Sequence, residues 1–149
     1  SYRIYCRKFK QGSIRLKTEN IHSMMKRFVK RALLNKKKMT QFLKNQKRKN
    51  KKIFLYGAST KGNTLLQYYN LNSSLIPFAA ERSPEKWGKY TVGTGIKIIS
   101  EKYARQMNPD FFLVTPWGFI NEFIKRERKW LKKGGKFILP FPKLRLINK

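Results

Sequence analysis

The stretch KIFLYGASTKGNT, residues 52–64, carries the clearest structural signal in the chain. Its apolar run Ile53–Tyr56 predicts a buried strand, and Gly57 predicts a tight turn directly after that strand. A helix is predicted from about Gly62 to Tyr69. A buried strand followed by a glycine turn and a helix is typical of α/β proteins with a parallel sheet.

The rest of the C-terminal part, residues 51–149, repeats this alternation. Further strands are predicted over residues 75–80, 97–99, 111–115 and 137–139, the last closed by Pro140 and Pro142. Ser100 is the predicted N-cap of a helix that runs to about Met107. Another helix is predicted over 119–132, ended by Gly134 and Gly135, and residues 81–95 are predicted to form a long loop. We therefore expect an α/β domain with a mainly parallel sheet and helices on both faces, in three layers.

Residues 1–50 follow a different pattern. Tyr2, Ile4 and Cys6 alternate with Arg3, Tyr5 and Arg7, which predicts a strand over residues 1–7. From Asn20 to about Gln46 the apolar residues recur at helical spacing, as one long amphipathic helix or as two joined near Asn35. The apolar positions of its first half are Ile21, Met24, Met25, Phe28, Val29, Ala32 and Leu33. Met39, Phe42 and Leu43 continue the face, and residues 47–52 are predicted to be a basic linker.

The charge of the chain is extreme. Thirty-six Lys and Arg residues stand against seven Asp and Glu, a formal net charge of +29, and residues 1–52 hold 19 of the cations with one acid, Glu19. A field this positive attracts polyanions whether or not that is the function. The basic helix therefore fits nucleic-acid binding, binding to an anionic membrane, or a solvated face whose apolar side packs on a neighbouring domain, and we prefer the last.

Other classes are disfavoured by composition. The longest apolar run has about six residues, whereas a membrane-spanning helix needs roughly 20, and no signal-peptide pattern opens the chain. Cys6 is the only cysteine, so neither a disulfide nor a cysteine zinc site can form within this chain. A reducing, cytoplasmic location is expected.

The turn after the first strand is the best candidate for a ligand site. In doubly wound folds this turn directs backbone N–H groups and a helix N-terminus toward bound anions. The candidate residues are Gly57, Ala58, Ser59, Thr60, Lys61, Gly62, Asn63 and Thr64. The dinucleotide pattern G-x-G-x-x-G lacks its middle glycine because Ser59 stands there, and the phosphate-loop pattern fails because Asn63 replaces the lysine. The sequence therefore favours a ligand-binding turn and a purely structural turn equally.

Two further positions are predicted at the same edge of the sheet. Glu81 ends the second strand, where an acidic residue can bind a ribose hydroxyl; we prefer a solvated loop carboxylate paired with Arg82 or Lys86. Trp117, after Pro116, either stacks on a base or sugar or packs the loop. His22 is expected at the surface and Cys6 is expected to be a small buried residue. No catalytic set can be assembled from this chain, so catalysis by it alone is not expected.

The motifs in their order resemble a known family, the C-terminal domain of S-adenosylmethionine-dependent sugar C-methyltransferases. The segment YGASTKGNTLLQY, residues 56–68, resembles the family signature. Residues 81–90, 93–96, 109–118 and 134–142 resemble, in order, its acidic-x-Asn-Pro-x-Lys-x-Gly loop, its Pro-Gly-Thr-x-Ile stretch, its Pro-Asp-x-x-Leu-x-x-Pro-Trp segment and its closing strand. Residues 1–5 resemble the strand that leads out of the methyltransferase domain. Ser83, Val92 and Lys97 depart from the family pattern in the loops.

The resemblance implies a Rossmann-like domain that helps to bind a nucleotide-linked deoxysugar. It implies substrate contacts from the glycine turn, from Glu81, Arg82, Lys86 and Thr94, and from Pro116 and Trp117. It also implies that a zinc-binding domain and an S-adenosylmethionine-binding methyltransferase domain precede this part, so the chain is expected to be a C-terminal fragment. The long helix would connect the domains, and an isolated fragment would form a homodimer through its apolar face.

Two other functions compete with this one. A free-standing basic module would bind nucleic acid or another polyanion, non-specifically if charge alone is responsible. A self-sufficient Rossmann enzyme with a nicotinamide cofactor is opposed by the missing middle glycine and by the lack of a catalytic set.

Overall fold

A computed structural model describes residues 21–148, and the strand predicted over residues 1–7 lies outside them. The chain opens with one continuous helix, α1 (Ile21–Arg48), without a break near Asn35. The α/β alternation follows. Its elements are β1 (Ile53–Tyr56), α2 (Thr60–Tyr68), β2 (Phe78–Glu81), β3 (Lys97–Ser100), α3 (Glu101–Gln106), β4 (Phe111–Val114), α4 (Ile120–Arg126), α5 (Arg128–Lys132), β5 (Lys136–Leu139) and β6 (Arg145–Ile147).

The strands form one six-stranded sheet in the order β3-β2-β1-β4-β5-β6. The pairings from β3 to β5 are parallel, and β6 pairs antiparallel with β5. The chain moves outward from β1 to β3 and then returns to the other side of β1 with β4. The strand order therefore reverses between β1 and β4, which is the place where α/β sheets of this Rossmann-like layout bind ligands. The predicted α/β class with a mainly parallel sheet is confirmed.

Two apolar cores cover the two faces of the sheet. Successive strand residues point to opposite faces, so Ile53 and Leu55 pack with Met39 and Leu43 of α1. Phe54 and Tyr56 belong to the second core on the opposite face, which α3, α4 and α5 cover. The result is a helix–sheet–helix sandwich with α1 and α2 on one side.

Several predicted boundaries were wrong. Helix α2 begins at Thr60, two residues before the predicted start, because Ser59 is its N-cap. The second strand was predicted from residue 75, but Leu75, Ile76 and Pro77 precede it. Glu81, predicted both to end the second strand and to open the long loop, is the last residue of β2.

The C-terminal part needed two further corrections. The single helix predicted over 119–132 is a 3-10 turn, Trp117–Phe119, followed by α4 and α5, which meet at the buried residue Glu127. The strand ending at Leu139 is not the last, since β6 continues the sheet. The residues of β6 are largely exposed and lack an apolar alternation, so the sequence offered little sign of this edge strand.

Candidate functional site

The glycine turn lies at the reversal point of the sheet, between the ends of β1 and β4. The Gly57 N–H donates to the Ala80 carbonyl at 2.8 Å, and the Thr115 hydroxyl donates to the Gly57 carbonyl at 2.8 Å. Gly57 has a φ of +85°, and a Cβ there would lie 2.7 Å from Cγ of Pro116. The turn therefore requires glycine for its backbone conformation and for the close approach of Pro116.

Helix α2 begins inside this turn. The Ser59 hydroxyl accepts a hydrogen bond from the Gly62 N–H at 3.1 Å, as an N-cap does. The N–H groups of Thr60 and Lys61 belong to the first helical turn, where a helix supplies no carbonyl partner. Together with the positive end of the helix dipole and the exposed Lys61 side chain, they form an electropositive surface at the edge of the sheet.

Glu81 is buried at the end of β2, contrary to the solvated carboxylate that we preferred. One of its oxygens accepts from the Ala58 N–H at 2.8 Å, and the other accepts from the N–H groups of Arg82 and Ser83 at 2.9 and 3.1 Å. The expected ion pair with Lys86 is present, with Nζ 3.6 Å from Oε2. Glu81 thus acts as an internal anion that fixes the glycine turn to β2. Because the Ala58 N–H donates to Glu81, it is not available to a ligand.

A polar cavity of about 250 Å³ opens beside this carboxylate. It brings together seven of the predicted residues: Gly57, Ala58, Ser59, Glu81, Arg82, Lys86 and Pro116. Its remaining walls are Tyr56, Ala80, Glu101, Phe119, Phe123 and Arg126. Three cationic side chains therefore face a cavity of a size that suits one phosphate or one sugar ring, since pockets for drug-sized ligands occupy roughly 300–1,000 Å³.

The far wall of the cavity was not predicted from the sequence. The Arg126 guanidinium donates to Glu101 at 2.8 Å. Burial alone would lower the pKa of Arg126, but the Glu101 carboxylate raises it above its ordinary value, so the guanidinium stays charged. No local motif marks these two residues, because they lie on α3 and α4 and meet the turn only through the fold. The helical spacing of Phe119 and Phe123 was the one available sign that this face points inward.

Tyr56 joins this wall to the second core. Its hydroxyl donates to Glu127 Oε1 at 2.8 Å, and the same oxygen accepts from Arg105. Burial, and then the nearby carboxylates of Glu127 and Glu101, raise the pKa of Tyr56 far above its usual value. The phenol therefore stays neutral and holds the last residue of β1 in place immediately before Gly57.

Other predicted residues lie away from the cavity. Thr60, Lys61, Asn63 and Thr64 are on α2 and none of them is buried, in contrast to Gly62 on the same helix. The Trp117 ring packs 5.2 Å from the Phe141 ring, measured between centroids, and contacts the second core. The hydroxyl of Thr94 lies 2.6 Å from that of Thr91 within the loop before β3. His22 is exposed on α1.

Within residues 21–148 no cluster of three or more His, Cys, Asp or Glu side chains is arranged to hold a metal ion. None of the helices described is both long enough and apolar enough to cross a bilayer.

Residues 12–142 match the C-methyltransferase C-terminal domain family. Over 93 residues the chain is 38% identical to C-methyltransferase NovU of Streptomyces niveus, an alignment that covers 62% of this chain and 22% of that relative. The chain thus spans less than a quarter of the length of the curated relative it matches. Since the family match covers most of its residues, the chain belongs to the family of C-methyltransferase C-terminal domains.

Proposed function

We propose that this chain is the substrate-binding domain of an S-adenosylmethionine-dependent sugar C-methyltransferase and takes a nucleotide-linked deoxysugar. The observation that supports this role is the polar cavity at the reversal point of the sheet, walled by the glycine turn and by Arg82, Lys86 and Arg126. Cationic side chains suit the phosphates of a nucleotide-linked sugar. The cavity volume suits one such group and not the complete ligand.

The chemistry is assigned to a preceding domain. Zinc and S-adenosylmethionine would be held there, as the resemblance to sugar C-methyltransferases implies. There, a base would remove the proton next to a keto group. The resulting carbanion would take the methyl group of S-adenosylmethionine, whose methyl–sulfur bond breaks to release S-adenosylhomocysteine. The role of the present domain is to bind and orient the nucleotide-linked part of the substrate.

Isothermal titration of the chain with a nucleotide-linked 4-keto deoxysugar tests the proposal. Removing one charge-assisted contact with Lys86→Ala or Arg82→Ala should weaken binding by about tenfold. Lys129→Ala is the matched control, because Lys129 is an exposed lysine on α5 outside the cavity lining. Equal affinities for all three variants, or no binding by the unsubstituted chain, would remove this site assignment.

A second candidate function rests on a basic groove along α1. Its walls are Leu33, Lys36, Lys37, Thr40, Gln41, Lys44, Asn45 and Arg48. Four cations beside amide and hydroxyl groups on one helix face are suited to a polyanion backbone. This reading predicts duplex-DNA affinity that falls steeply between about 50 and 200 mM salt and that is reduced by Lys37→Ala with Lys44→Ala. Binding that is unchanged in the double variant would argue against the groove.

A further inference from the structure

The polar cavity at the glycine turn has two chemically different sides. Arg82 and Lys86 line the side next to the turn, whereas Glu101 of α3 and Arg126 of α4 form the far wall. The far wall is an ion pair, since the Arg126 guanidinium donates to Glu101 Oε1 at 2.8 Å. An ion pair offers a ligand both hydrogen-bond donors and acceptors, whereas cationic side chains alone offer only donors.

Glu81 also lines the cavity, but the domain itself uses its acceptor capacity. Its Oε1 accepts from two backbone N–H groups, and its Oε2 accepts from the Ala58 N–H, with Lys86 Nζ 3.6 Å from the same oxygen. A carboxylate oxygen has two lone pairs, so Glu81 is not free to accept from a ligand hydroxyl as acids at this strand end can do. Among the described residues that line the cavity, the other carboxylate is Glu101.

Glu101 and Arg126 keep hydrogen-bonding capacity that the contacts between them do not use. Glu101 Oε2 lies 3.5 Å from Nη1 of Arg105, which is too long for a strong hydrogen bond. Arg126 has five N–H donors, and the bond to Glu101 uses one of them. The guanidinium also lies 5.5 Å from the centre of the Phe123 ring, so two contacts hold it in place. The wall is therefore preorganised and still able to bind a ligand.

A second, buried ion pair joins α3 to the same part of the chain. Arg105 of α3 donates to Glu127, which lies between α4 and α5 and is 1% exposed. The side chains of Glu101 and Arg126 are instead 13 and 30% exposed, and both line the cavity. Partly exposed ion pairs add little to stability. The buried pair thus accounts for the attachment of α3, and the pair at the cavity is available for binding.

We propose that the Glu101–Arg126 pair binds two adjacent hydroxyl groups of the sugar ring of the substrate, while Arg82 and Lys86 hold its phosphates. This inference rests on the proposed nucleotide-linked sugar and names the part of it that enters the cavity. A carboxylate that accepts from one hydroxyl and a guanidinium that donates to the next match a vicinal diol, because each hydroxyl can donate and accept. Phe119, 57% exposed and part of the same cavity, adds apolar surface for the ring carbons.

Isothermal titration of the chain with three ligands tests the proposal. The ligands are a nucleotide-linked 4-keto-6-deoxyhexose with hydroxyls at C2 and C3, its 2-deoxy analogue, and the same nucleoside diphosphate without a sugar. The unsubstituted chain should bind the first about tenfold more tightly than the second, because the analogue leaves a charged partner unsatisfied. Glu101→Gln should reduce this discrimination below about threefold without weakening the binding of the nucleoside diphosphate. A cavity that binds phosphate alone would instead bind all three ligands more tightly after Glu101→Gln, because a negative charge is removed.

Three further variants complete the test. Arg126→Lys keeps the charge but loses the planar fork, so it should also reduce the discrimination between the two sugars; it decides the question if Glu101→Gln loses all binding through a damaged fold. Glu122→Gln, an exposed substitution on α4 outside the cavity lining, is the matched control and should keep the discrimination. Arg82→Ala should weaken the binding of all three ligands alike.

The outcomes separate this inference from the proposed function. Equal affinity of the unsubstituted chain for the two sugars, or discrimination that survives both Glu101→Gln and Arg126→Lys, would overturn the diol assignment and leave the phosphate role of Arg82 and Lys86 in place. Failure of the unsubstituted chain to bind any of the three ligands would overturn the proposed function and this inference together.

Discussion

Gly62 shows at the scale of one residue how closely α2 approaches the end of β4. A Cβ at this position would lie 2.7 Å from Cβ of Thr115, an atom held by the backbone. Gly62→Ala should therefore destabilise the fold by about 1–3 kcal/mol, even though alanine is the better helix former by about 1 kcal/mol. Urea denaturation measures the difference.

Gly118→Ala is the control for that measurement. A Cβ at Gly118 would meet nothing within 4 Å, so its effect should stay within about 0.5 kcal/mol. Equal effects of the two substitutions would mean that the contact between Gly62 and Thr115 is not tight.

Asp110 gives a pH-dependent prediction at the same scale. Its carboxylate accepts from Lys51 Nζ and from the Lys52 N–H, each at 2.9 Å. Partial burial opposes ionisation, but these two bonds together lower the pKa of Asp110 below its ordinary value. A depressed pKa stabilises the fold above the unfolded value of about 3.9, and the contribution is lost as pH falls through the folded pKa.

Asp110→Asn should therefore be less stable than the unsubstituted chain at pH 6 and should lose less stability between about pH 5 and pH 2. Urea midpoints across this range measure the effect. Glu122→Gln, an exposed substitution on α4, is the control and should keep the original pH profile. An identical profile for Asp110→Asn would exclude the proposed role of this carboxylate.

At the scale of elements, helix α1 divides into a structural half and an exposed half. Leu43 is fully buried against β1 and its neighbours, whereas Leu34 is 51% exposed. Leu43→Ala should lower the free energy of unfolding by about 2–5 kcal/mol, and Leu34→Ala should change it by less than about 0.5 kcal/mol. If Leu43→Ala were equally mild, the second half of α1 would not belong to the folded core.

Two of the wrong predictions, the single helix over 119–132 and the missing strand β6, share one physical cause. Periodicity predicted one helix over 119–132 because its apolar residues keep helical spacing. The helix is nevertheless interrupted at Glu127, between α4 and α5. The Glu127 side chain is 1% exposed and bonded to Tyr56 and Arg105. Residues so distant in sequence leave no local signal of their contact. The same applies to β6, whose place is decided by pairing with β5.

At the scale of the whole molecule, the net charge of +29 opposes compaction. Raising NaCl from about 20 to 300 mM should therefore increase the urea midpoint, because salt screens the repulsion between cations. Phe28→Glu should show the same increase, since the effect comes from the net charge and not from the exposed face of α1. A midpoint that falls with salt would show that local ion pairs such as Arg126–Glu101 dominate.

The candidate site was predicted in part. The glycine turn and the Glu81–Lys86 pair were identified because they are contiguous or are placed by strand ends, and parallel strands end at one edge of a sheet. The interpretation of Glu81 as solvated was wrong, since only the folded chain brings the Ala58 N–H to its carboxylate. Arg126 and Glu101 were missed because the cavity wall they form exists only when α3 and α4 pack together.

The sequence alone determined the fold class, the position of the turn and the family resemblance, because these depend on local periodicity, on glycine conformations and on the order of motifs. The tertiary structure alone decided which backbone donors remain available at the turn, which residues close the cavity and which half of α1 is left uncovered. Those properties depend on contacts between residues far apart in the chain, such as Asn35 with Pro140 and Tyr56 with Glu127. Local sequence patterns do not encode such pairings.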